Sequence, residues 1–156
     1  MTRIAEKLIA ALICTLLPTG AWAEARIAEC EGWPLNVRNI VEPFDQSTRT
    51  FANGNIRILH IDTGGEPVCC SSHLVILAPN PAEEEQFRIC KLLTDGDVGN
   101  GFLDVNIKGI KSSYSPSKGL LLSVPVLRYN FEDGVNNHKA TIDVRINQAT
   151  GAITIE

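Results

Sequence analysis

The sequence predicts a small all-β domain, an antiparallel β-sandwich or barrel that ends in a meander and is stapled by disulfides. Three observations predict it. Apolar residues alternate with polar ones over long stretches of the C-terminal half, as in a sheet with one buried face. Turn-forming residues separate these stretches at short, regular intervals. Four cysteines follow an N-terminal stretch that reads as an export signal, and an even count in an exported chain predicts a disulfide framework.

That stretch comes first. Arg3 and Lys7 give a positive start, an apolar run over 8–17 follows, and Ala21-Trp22-Ala23 is a small-x-small cleavage site before Glu24. The run is about half the roughly 20 residues needed to cross a bilayer, so a retained membrane helix is not expected. Residues 1–23 are therefore read as a signal peptide and 24–156 as one exported domain, periplasmic or secreted. The whole chain holds 14 Lys and Arg against 18 Asp and Glu, a net charge of −4. It has neither a basic stripe with aromatics for nucleic acid nor a basic amphipathic helix for a lipid surface.

Residues 24–31 read as a short polar arm tied down by Cys30. Residues 35–41 read as a short strand and 43–48 as a loop. Asn53-Gly54 is a strong turn dipeptide. Residues 56–62 carry apolar groups on both faces, as a central strand would, and 74–78 are apolar throughout. From Asn80-Pro81 a polar turn leads into a strand ending near Leu93. Leu103, Val105 and Ile107 alternate with Asp104, Asn106 and Lys108; Leu120, Leu122, Val124 and Val126 with Leu121, Ser123, Pro125 and Leu127; and Ala140, Ile142, Val144 and Ile146 with Thr141, Asp143, Arg145 and Asn147. Pro125 should place its strand at an edge or a bulge, because proline cannot donate to a ladder. Residues 152–155 close the meander. About seven or eight such strands point to a sandwich or a small barrel.

Cys30, Cys69, Cys70 and Cys90 are the disulfide candidates. Neighbouring cysteines bond poorly to each other, so the expectation is one of Cys69 and Cys70 bonded to Cys30 and the other to Cys90. Two minor metal readings stand beside this. Cys69, Cys70 and His73 have soft-metal donor chemistry but not the spacing of a zinc knuckle. Asp95 and Asp97 begin an oxygen-rich loop, but Asn100 stands where a calcium loop needs glycine and Asn106 where it needs glutamate, so a surface turn is the simpler reading. No cofactor is expected.

Catalytic patterns are lacking: there is no Gly-x-Ser-x-Gly elbow and no His-Glu-x-x-His, and the chain has three histidines. His60 reads as a core or boundary residue of its strand, and His138 as a solvated turn residue. The functional expectation is an exported, non-catalytic module that binds an unknown protein or small ligand of the cell envelope. A small enzyme of unrecognised type and a metal-handling protein using Cys and His ligands are the alternatives.

Overall fold

A computed structural model describes residues 24–64, 70–82, 87–96, 99–130, 134 and 137–156; the expected signal peptide lies outside them. Two antiparallel sheets form a sandwich, not a closed barrel. The first sheet contains β1 (Ala25–Glu29), β2 (Thr48–Phe51), β3 (Ile56–Asp62), β4 (Ser72–Pro79) and β5 (Arg88–Asp95), in the order β1-β5-β4-β3-β2. The second contains β6 (Asp104–Val105), β7 (Lys111–Ser115), β8 (Gly119–Arg128), β9 (His138–Asn147) and β10 (Ala152–Ile155), in the order β10-β9-β8-β6, with β7 also paired to β8.

Alternation decides which side chains meet between the sheets. Ile56, Ile58, Leu74, Ile76 and Leu93 of the first sheet share one core with Leu122, Val124, Val144 and Ile146 of the second. Each such side chain contributes about 1.5–3 kcal/mol by leaving water. The first sheet is also covered on its other face, where Ile61, Val75 and Leu92 pack with Leu35, Ile40, Leu59 and Leu77. This second cover explains why β3 and β4 read as continuous apolar runs.

The cover itself differs from expectation. Residues 35–41 do not form a strand; the segment folds into two 3-10 turns, Trp33–Leu35 and Val37–Asn39. Asparagine chemistry is the reason. The Asn36 side chain accepts from the Arg38 amide at 3.1 Å, and Asn39 Nδ2 donates to the Pro34 carbonyl at 3.0 Å. Side chains that bond their own backbone compete with a ladder. The loop expected over 43–48 contains a single helical turn, α1 (Phe44–Ser47).

The alternation of residues 103–108 also yields less strand than its pattern implies. Only Asp104–Val105 pairs with β8, and a 3-10 turn, Ile107–Gly109, follows. The Asn106 side chain closes this turn by accepting from the Gly109 amide at 3.0 Å. The interruption explains Pro125 as well. β8 is a central strand, flanked by β9 on one side and by β6 and β7 on the other, so an edge position is wrong. The Pro125 carbonyl accepts from the Asn106 amide at 3.0 Å, so its missing N–H points to the same side. There the ladder has already given way to the 3-10 turn.

The disulfide pairing is corrected. Cys30 bonds Cys90, with the Cα atoms 5.5 Å apart. The register explains it: β1 runs antiparallel to β5 with Glu29 opposite Lys91, so the next step places the two cysteines opposite one another. Cys70 is disulfide-bonded too, and Cys69 lies outside the described residues. Cys70 is held with φ at +68°, and Ser72 and Phe102 form a bridge beside it. A side chain on Gly101 would lie 2.5 Å from the Ser72 carbonyl and 2.6 Å from that of Cys70, so only glycine fits there.

The two flanks of the sandwich close differently. At one, β1 lies against β10. At the other, the Arg49 guanidinium of β2 donates to the carbonyls of Ile107 at 3.1 Å and Ile110 at 2.8 Å, and sits over the Phe51 ring.

Candidate functional site

His60 is the first polar residue on the inner face of β3, following Ile56 and Ile58 on the same side. It is 8% exposed, and its Nε2 has no hydrogen-bond partner. Across from it the second sheet contributes Asp104 from β6, then Asn106 and Lys108 from the 3-10 turn. From the first sheet's side come Glu42, Gln46 and Ser47, at and around α1. Together these side chains enclose a cleft of about 250 Å³.

Local chemistry builds its walls. The amides of Gln46 and Ser47 both donate to the Pro43 carbonyl, at 2.9 and 3.2 Å, winding α1 into its turn. Lys108 Nζ donates to Gln46 Oε1 at 2.9 Å, joining the two walls. A second cavity of about 420 Å³ shares Asp104 and Asn106 with the first and continues over Pro125, Leu127, Lys139 and Thr141. Burial lowers the pKa of His60, opposed by the charges of Asp104 and Asp62. At neutral pH the imidazole is therefore neutral and keeps one acceptor lone pair.

The residues singled out from the sequence lie elsewhere. His73 is fully buried in β4, opposite Ile61 on the outer face of the first sheet. Its Nδ1 lies 3.2 Å from Thr94 Oγ1. The Thr94 hydroxyl donates its proton to the Asn100 carbonyl, so it must accept from His73 Nδ1–H, and His73 Nε2 is left without a partner. Burial pushes the His73 pKa down to about 4, with the Asp62 charge opposing and His60 adding to the fall. Asp95 is not on a surface turn. It is buried at the end of β5, and both its oxygens take hydrogen bonds from Arg128 of β8, at 2.5 and 3.0 Å. Asp97 lies outside the described residues. Cys70 and Cys90 are committed to disulfides, and no group of three or more His, Cys, Asp or Glu positioned to hold a metal occurs among the described residues. No described helix is long and apolar enough to cross a membrane.

The sequence marks none of Glu42, Gln46 and Lys108 as part of a site. Its one available signal was the histidine interrupting the apolar face of 56–62. The rest depends on how loops 43–48 and 103–110 meet, which no local pattern records. Comparison with protein-family models, with curated proteins and with solved structures found no match to this chain.

Proposed function

We propose that the protein is an exported, non-catalytic binding module of the cell envelope whose ligand seat is the cleft around His60 and Asp104. The observation that supports this most is the cleft's make-up. A buried imidazole with an unpartnered Nε2 lies among exposed carboxylate and amide side chains, and a second cavity adjoins across a shared wall. A concave site with several convergent polar groups can fix the orientation of a small ligand. The Cys30–Cys90 disulfide is compatible with an extracellular location, and the leader over 1–23 supports export.

The test compares wild type with Gln46→Trp, which fills the cleft from an exposed position, and with Ser117→Trp, an equally exposed control far along the second sheet. Each mature, oxidised protein is used as bait in its native envelope extract. A partner or ligand retained by wild type and Ser117→Trp but lost by Gln46→Trp is the expected result. Equal retention by all three would place binding elsewhere.

The same cleft supports a second reading, a small enzyme using neutral His60 as a general base beside Asp104. Turnover of a captured ligand by wild type but not by His60→Gln would favour it.

A further inference from the structure

Resting on the cleft as the ligand seat, we infer that it takes a cationic nitrogen, an ammonium or guanidinium group, between Glu42 and Asp104. Both carboxylates line the cavity from opposite walls, and both residues are exposed. Neither is ion-paired or hydrogen-bonded through its side chain to a described residue. The cleft's one cation, Lys108, already donates to Gln46 Oε1. His60 lines the same cavity, nine-tenths buried and with an unpartnered ring nitrogen. A neutral imidazole accepts a hydrogen bond from an N–H donor, and a cationic donor makes that bond stronger. An anion would meet two uncompensated carboxylates instead. A cavity of about 250 Å³ suits one side-chain head and not a large ligand.

Such a group can belong to a free polyamine or to a lysine or arginine of a partner protein. The titration therefore uses spermidine, the tripeptides Gly-Lys-Gly and Gly-Arg-Gly, and Gly-Glu-Gly as the anionic control. The readout is the NMR signal of the His60 ring in the mature, oxidised chain. The charges facing that ring are Asp62 and Asp104, with Glu42 and Lys108 in the cleft and His73 behind it. A bound cation opposes protonation, so the His60 titration should move to lower pH; a bound anion would move it higher.

Saturable binding of a cationic probe, roughly millimolar and weaker at high salt, is expected. Asp104→Asn and Glu42→Gln should each weaken it by roughly threefold to tenfold. Tighter binding of spermidine assigns the free amine as the natural source, and tighter binding of a basic tripeptide assigns a partner's side chain. Binding of Gly-Glu-Gly as tight as that of the cations, indifference to both variants, or no saturable shift would overturn the inference. A partner captured through the cleft while no cation binds would overturn this inference and leave the binding-module reading standing.

Discussion

His73 holds the clearest linkage between a single side chain and stability. Its folded pKa, about 4, lies below the ordinary 6.5, so the unfolded chain takes the proton first as pH falls. The stability is fully present above pH 6.5 and is lost as pH falls toward 4, by roughly 3 kcal/mol. His60 acts in the same direction. Urea denaturation at pH 7 and pH 4.5 should show this acid loss in wild type and a much smaller one in His73→Leu. An unchanged acid slope in that variant would mean that other groups set it. Asp95 and Arg128 make the second prediction. Removing the buried carboxylate leaves a guanidinium only 22% exposed without its fork, so Asp95→Asn should cost about 2–4 kcal/mol in the same assay. Sequence alone could not have shown this role. An aspartate before glycine reads as turn chemistry until the sandwich brings Arg128 to it from 33 residues away.

Strands were legible where period-two alternation and register agreed. β9 is the plain case: Ile142, Val144 and Ile146 are buried, while Thr141, Asp143 and Arg145 are not. Val144→Asp should therefore cost roughly 3–5 kcal/mol, and Asp143→Ser about 0.5 kcal/mol or less, read as chemical-denaturation midpoints. Alternation misled over 103–108, where the Asn106 side chain turns the backbone after a two-residue strand. Pro125 misled because a central strand can tolerate a missing donor where its neighbour leaves the ladder. The cysteines were legible as disulfide formers but not as pairs, since pairing needs the β1–β5 register. The bond closes a loop of sequence separation 60, worth on the order of 4 kcal/mol on the chain-entropy model. Cys90→Ser should lose that stability and leave its reactive thiol at Cys30, which thiol-specific labelling and peptide mapping would locate.

At the scale of the molecule, the first sheet is buried on both faces and the second on one. Ile61, on the outer face of β3, is 3% exposed, and Ile58, on the inner face, is 0%. Ile61→Asp should therefore destabilise about as severely as Ile58→Asp, by roughly 3–5 kcal/mol, whereas Thr154→Asp on β10 should change little. Comparable melting points for Ile61→Asp and wild type would mean that the 3-10 cover contributes no seal. Apolar residues on both faces of 56–62 had announced a central strand. What covers it was not readable, because Leu35 and Ile40 sit in a segment whose short-range asparagine bonds conceal its role.

The closing of the two flanks also bears on how the protein would be handled and displayed. β1 and β10 lie together at one flank, and the cleft opens near the other, where Arg49 ties β2 to the turn after β6. A tether attached after Glu156 leaves from β10, the strand of the second sheet farthest in order from β6 and its Asp104. Immobilisation through the C-terminal end, for surface-based affinity measurement or display on a particle, should therefore preserve access to Glu42, His60 and Asp104.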